Sequence, residues 1–211
     1  MKKIVLIGDS IRVGYCRYVQ QAFEGEAAVY FPNENCRFAA YIVRALSSWK
    51  NKMECGDDVD CVHFNVGLWD CLILPDGILT PIEIYRFYFD RVCKQIKTLF
   101  PKAKIIFATS TAVLEDQYKE NLRRKNADIE QYNAAAVEIA QGHGFAINDL
   151  YAITKDVPES YHSDMTHYYT KDGTRILTEQ VANVIADALG IPAKPLDYDA
   201  LFAEVDKIVG I

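Results

Sequence analysis

The sequence predicts an α/β fold of three layers (α/β/α), with helices on both faces of a five-stranded, mainly parallel sheet. Three observations predict it. Short β-branched apolar runs alternate with longer segments of helical apolar spacing along the whole chain, the pattern of a parallel sheet wound by crossover helices. The short runs stop abruptly at Gly, Asp, Asn or Pro, residues that favour turns and helix starts. The 211 residues, 50% apolar and 25% charged, suffice for one sizeable core and are few for two.

Lys3 to Ile7 reads as the first strand, ended by Gly8-Asp9-Ser10. A helical spacing follows to about Phe23 and stops at Gly25. Ala27 to Phe31 is a second strand, ended by Pro32-Asn33-Glu34-Asn35, and Arg37 to Lys50 is again helical in period. Asp60 to Asn65 is a third strand that breaks at Val66-Gly67-Leu68-Trp69-Asp70. Leu72 to Leu79 reads as an apolar loop. Thr80-Pro81-Ile82-Glu83 is a helix-start signature, with Thr as cap and Pro first, for a helix reaching about Phe100. Lys104 to Thr109 is a fourth strand, followed by a polar stretch of mixed charge. A helix over about Ala127 to Gln141 and a short strand, Phe145 to Ile147, complete the sheet. Tyr151 to Thr170 has no strong period and reads as a long loop, of a length that is usually functional. A helix from about Thr174 to Leu189 follows.

The expected strand order is flavodoxin-like, 2-1-3-4-5, which sets the carboxyl ends of strands 1 and 3 side by side where ligands bind in such sheets. Gly8-Asp9-Ser10 and Asn65-Val66-Gly67 would then be neighbours. Residues 1–211 are read as a single domain in which 192–211 form a linker and a terminal helix, Tyr198 to Val209.

A net charge of −6 and a pI near 5.3 argue against a nucleic-acid surface or a polybasic membrane patch. No apolar run approaches the roughly 20 residues that span a bilayer. The first apolar run meets Gly-Asp-Ser rather than a small-residue cleavage site, so it reads as a core strand and not a signal peptide. Six scattered cysteines without a C-x-x-C pair or zinc-site spacing fit reduced thiols in the cytoplasm and imply no metal.

The chemistry-bearing residues start with Ser10, a hydroxyl where a strand hands over to a helix. Unpaired N–H groups there suit a developing oxyanion, so Ser10 is either a nucleophile or simply the helix cap. A nucleophilic Ser needs a base and a group that orients it. Of four histidines, His63 lies within a strand and His143 at a helix end, which packing and helix polarity explain. Asp164 and His167, in His162-Ser163-Asp164-Met165-Thr166-His167, are three apart and project to one side if they begin a helical turn. Asp164 then orients His167, or else only caps a turn. His162 is not spaced to share that side.

Together these pieces resemble the SGNH (GDSL-like) hydrolase family of esterases and lipases. Gly8-Asp9-Ser10-Ile11 is similar to the family's first block, Asp164-Met165-Thr166-His167 to its last block D-x-x-H, and Gly67-Leu68-Trp69-Asp70 lies where the block G-x-N-D is expected. The resemblance implies a carboxylic ester hydrolase with Ser10 as nucleophile, His167 as base and Asp164 as its partner, and no cofactor or metal. The sequence departs from the family at two places. Trp69 stands where the family has an oxyanion-donating Asn, a role for which Asn65 is the substitute. No Gly occurs between Gly25 and Gly56, where the family has a donor glycine; a backbone N–H near Asn35 or Cys36, or the Asn35 side chain, is the substitute. Asp9 is expected to tie the loop together.

The implied partner is a small-molecule or carbohydrate ester, with a short acyl group such as O-acetyl, because the loop before His167 shows no extended apolar face. Trp69, Tyr161, Tyr168 and Tyr169 are either sugar-facing surfaces or ordinary packing. The rival reading is a non-catalytic carbohydrate-binding or interaction protein with a degraded oxyanion hole. A nucleotide binder lacks its Gly-rich phosphate loop. The oligomeric state is not legible.

Overall fold

The computed structural model describes residues 1–118 and 123–209; residues 119–122, within the mixed-charge stretch, and 210–211 lie outside the described residues. Seven strands and seven α-helices are found among them. In chain order they are β1 (Lys2–Ile7), α1 (Ser10–Ala22), β2 (Ala27–Tyr30), α2 (Ala39–Met53), β3 (Cys61–Asn65), β4 (Ile73–Leu74) and β5 (Gly77–Ile78). Then come α3 (Ile82–Leu99), β6 (Lys104–Ala108), α4 (Asn126–Gly142), β7 (Ala146–Asn148), α5 (Leu150–Thr154), α6 (Lys171–Leu189) and α7 (Tyr198–Val209).

The main sheet has the order β2-β1-β3-β6-β7 with all pairs parallel. This is the expected 2-1-3-4-5 once the small hairpin β4–β5 is set aside. The central strands β1 and β3 are covered on both faces: Ile4, Val5, Leu6 and Ile7 are wholly buried, and so are Cys61, Val62 and Phe64. Such strands read as continuous apolar runs because both faces carry helices. Each fully buried aliphatic or aromatic side chain contributes roughly 1.5–3 kcal/mol, so the layer under the carboxyl ends of β1 and β3 is firmly held. Among the described residues no helix is long and apolar enough to cross a membrane.

The structure differs from the sequence reading in four places. Leu72 to Leu79 is not a plain loop: Pro75 and Asp76 turn a two-stranded hairpin, with Ile73 opposite Ile78 and Leu74 opposite Gly77. Strands of two residues are too short to show a period. Thr80 does not cap α3; Pro81 precedes the helix without a side-chain cap bond, while buried Thr80 donates its N–H to the Asp70 carbonyl (3.0 Å). The stretch after β7 contains α5, five residues long and capped by the Asp149 carboxylate on the Ala152 N–H (3.1 Å), and a 3-10 turn at Glu159–Tyr161. Finally, α6 begins at Lys171 rather than near Thr174, because the Thr170 hydroxyl caps it on the Gly173 N–H (3.1 Å). Beyond α6, the Lys194 N–H donates to the Ala22 carbonyl (2.8 Å) and Phe202 of α7 stacks on Tyr18 (5.9 Å). Lys194 and Phe202 thereby touch α1.

Candidate active site

Ser10 is the first residue of α1, but it does not cap the helix. The cap is Asp9, whose Oδ1 accepts the Ile11 N–H (2.9 Å). That frees the Ser10 hydroxyl, which lies 2.8 Å from His167 Nε2. His167 Nδ1 lies 2.8 Å from Asp164 Oδ2. Asp164 Oδ1 accepts the N–H groups of Thr166 (2.7 Å) and His167 (2.9 Å), so the carboxylate closes its own turn as well as facing the imidazole. Burial raises the Asp164 carboxyl, but the Thr166 N–H, the His167 ring and the His167 N–H outweigh it and hold the group below the usual carboxylate range.

The loop carrying His167 is tied down from several sides. The Leu114 N–H donates to the Met165 carbonyl (2.9 Å), the Tyr118 and Thr166 hydroxyls are 2.6 Å apart, and the buried Tyr168 hydroxyl donates to the Ala112 carbonyl (2.9 Å). Tyr168 is therefore a core anchor and not a sugar-facing ring. Tyr169 stacks on the His167 ring (4.8 Å, 22° between planes) and donates its hydroxyl to the Ser10 carbonyl (2.7 Å). The other histidines lie elsewhere. His63 is buried in β3 against Asn148 (3.0 Å), with burial pushing its pKa down to about 3. His143 pairs with Asp90 at the end of α4 (2.7 Å), and His162 packs on Tyr168 (4.1 Å).

Below Ser10, the ends of β1 and β3 are joined by an Asn65 side-chain N–H donated to Asp9 Oδ1 (2.9 Å). Both residues are buried, and burial pushes the Asp9 carboxyl upward in pKa. Gly8 is obligatory here: a Cβ would lie 1.9 Å from Asn65 Oδ1. Gly67 follows at φ +143°, backed by the Ser110 and Tyr85 hydroxyls. Trp69, half-buried, sits in the turn that the Cys71 N–H closes on the Gly67 carbonyl (3.0 Å).

The segment expected to replace the donor glycine is held by Arg12, a guanidinium only 2% exposed. It donates to the carbonyls of Pro32 (3.1 Å), Gly8 (3.4 Å) and Glu34 and approaches Cys36 Sγ (3.9 Å). The Cys36 N–H donates to the Gly8 carbonyl (3.1 Å), so it is not the substitute donor. The Asn35 side chain accepts the Arg37 N–H on Oδ1 (2.8 Å), which leaves its amide NH2 as a donor. Among the described residues the backbone N–H groups of Ser10, Asn35 and Gly67 have no partner within the chain. Asn35 and Ser10 line one cleft of about 540 Å³, with Arg12, Val13, Arg17 and Tyr169; Gly67 and Trp69 are not among its walls.

Sequence reasoning missed Arg12, Tyr169's hydroxyl and Asp70. Arg12 carried a signal: it lies on the buried stripe of α1 with Tyr15, Cys16 and Val19, a place where a charge demands partners. Asp70 is buried, and both its oxygens face the Ala39 N–H (3.1 and 3.3 Å) at the start of α2. Burial pushes its pKa up to about 7 from an ordinary 3.8. A folded-state pKa above the unfolded one stabilises the fold at low pH, and that contribution disappears as pH rises through about 7. Asp70→Asn is accordingly expected to flatten the fall of Tm across this range in a calorimetric pH series. A constant offset between the two proteins would show that Asp70 does not titrate there.

No family model matches this sequence, and no curated relative does. Solved structures do match. A lipase/acylhydrolase from Enterococcus faecalis superposes with a TM-score of 0.72 at 19% identity, over 93% of this chain and 100% of that one. A GDSL-like lipase from Bacteroides thetaiotaomicron gives 0.68 at 16% identity, over 89% of each chain. The acetyl xylan esterase AlAXEase gives 0.66 at 15% identity, over 87% of this chain and 99% of that one. The similarity spans nearly the whole of both partners in each case, and the chain therefore has the fold of the GDSL-like lipases and esterases, the three-layer fold that its sequence motifs imply.

Proposed function

We propose that this chain is a serine ester hydrolase acting on a small acyl ester. The observation that carries the reading is the continuous line from Ser10 Oγ through His167 to Asp164, with 2.8 Å at each step. His167 Nε2 takes the Ser10 proton as Oγ attacks the ester carbonyl; the same imidazole then returns that proton to the leaving alkoxide. Water, deprotonated by His167, next attacks the acyl-enzyme, and Ser10 leaves with the proton. The N–H groups of Ser10 and Asn35 are the oxyanion donors in this reading. Asn65 adds the second N–H of its amide, the first being held by Asp9. Asp9 fixes that amide and the helix start from below. The imidazole orientation is supported from both sides, by Asp164 and by the stacked Tyr169.

A short acyl group fits best, because polar and charged side chains interrupt the walls of the cleft beside Ser10. The alcohol part is taken to be a carbohydrate or another small polyol, a reading to which the acetyl xylan esterase among the structural neighbours lends support. The test is covalent. A fluorophosphonate probe is expected to label Ser10, seen by peptide mass spectrometry, and Ser10→Ala is expected to abolish both labelling and turnover of p-nitrophenyl acetate. An unlabelled, inactive wild-type protein would leave the non-catalytic binding reading instead. A preference for long acyl chains across a p-nitrophenyl ester series would overturn the short-acyl part alone.

A further inference from the structure

The cleft beside Ser10 is far larger than an acetyl group requires, and it does not end there. A second cleft of about 480 Å³ shares its walls at Arg17 and Phe31–Glu34 and continues to Trp49 and Lys52. The charge along both is opposite to that of the chain as a whole. The protein carries −6, yet Arg12, Arg17 and Lys52 line these clefts against a single carboxylate, Glu34. That carboxylate is already engaged: one oxygen accepts the Trp49 indole N–H (2.7 Å) and the other the Tyr41 hydroxyl (2.8 Å). Arg12 meets carbonyl oxygens, thiols and the face of Phe31 (5.8 Å), and no carboxylate among the described residues. Among the described residues, neither exposed Arg17 nor exposed Lys52 has an ion-pair partner. Lys52 acts on Glu34 through its charge alone, and cations in excess of carboxylates along a concave wall raise the local concentration of anionic ligands.

We propose that the alcohol part of the ester is anionic, a sugar acid or similarly charged oligosaccharide lying from Ser10 past Arg17 to Lys52. The inference rests on the hydrolase reading for what happens at Ser10, but the groove itself does not depend on it. The acyl group sits at the Ser10 end, and the charged residues of the alcohol run along Arg17 toward Lys52.

Two measurements separate the groove from the chemistry. The first compares kcat/KM for para-acetoxybenzoate and its neutral methyl ester in the wild-type chain and in the Arg17→Glu, Lys52→Glu double variant. The anionic-to-neutral ratio is expected to fall by about tenfold or more in the variant, and to fall likewise in the wild type at about 1 M salt, where screening acts within about 3 Å. A ratio untouched by either change overturns the proposal. The second measures binding to the Ser10→Ala protein by calorimetry, using trigalacturonate and its fully methyl-esterified form. Tighter binding of the charged trimer, lost in the charge-reversed protein, supports the groove even if no ester is turned over. Equal binding of the two trimers overturns it, even if Ser10 proves to be a working nucleophile.

Discussion

His167→Ala is expected to lower kcat for p-nitrophenyl acetate by about 10⁶, the size of loss seen when the base of a Ser-His-Asp set is removed. The imidazole is the only titratable ring within hydrogen-bonding distance of Ser10 Oγ among the described residues. The other histidines are bonded or packed elsewhere, so none can take over the proton. Asp164→Asn is expected to cost less than the His167 substitution. Asp164 is partly exposed, with 43% of its side chain open, and Tyr169 still stacks on the ring. Its loss acts through the tautomer, because an amide nitrogen facing Nδ1 disfavours the form that leaves Nε2 free to accept. Steady-state rates with both variants, at a temperature where their circular dichroism is native, check the order. Equal wild-type rates for His167→Ala would remove it from the mechanism.

Arg12→Met is expected to be the most damaging substitution outside the Ser10–His167–Asp164 line, in stability and in rate. The side chain has similar reach and no donors, so the carbonyls of Pro32, Glu34 and Gly8 lose a buried partner. Each buried polar group left unsatisfied costs roughly 1–3 kcal/mol, and a net loss of about 3 kcal/mol corresponds to a Tm lower by about 6–12 °C for a chain of this length. The rate effect has a separate cause. With the carbonyls no longer drawn onto the guanidinium, the segment keeps the Cys36 N–H on the Gly8 carbonyl but loses its buried clamp before Asn35, and displacing one proposed oxyanion donor costs up to about 10² to 10³ in kcat. Arg12→Lys keeps the charge but not the fork and is expected to recover stability more than kcat. A variant with lowered Tm but wild-type kcat well below its melting point would show that Arg12 supports the fold alone.

The strand-helix alternation was legible in the chain because it depends on short-range patterning. The sheet order came from analogy with flavodoxin-like folds, and the grouping of Ser10 with Asp164 and with His167, 157 positions away, came from the family resemblance. Residues Ile4 to Ile7 are apolar because both faces of a central strand are covered. Gly8 is invaded by Asn65 and admits no other side chain. Asp164 and His167 face one way because a single turn, closed by the carboxylate itself, sets them three apart. The same reasoning failed where elements were too short to repeat, as in the β4–β5 hairpin and α5.

Tertiary structure alone decided which donors stand around Ser10. On paper Ser10 was the candidate cap and Asp9 only a tie within the loop. Asp9 took the role because its carboxylate is also anchored by Asn65 from the next strand. Cys36 and Asn35 were equivalent candidates for the missing glycine, until the Gly8 carbonyl claimed the Cys36 N–H and Arg12 claimed the carbonyls of Pro32 and Glu34. These outcomes turn on where carbonyl oxygens of β1 and the β2–α2 loop meet in space, residues more than 20 positions apart. Hydrogen-bond competition over such separations has no periodicity to read, since it exists only once the sheet has brought the two loops together.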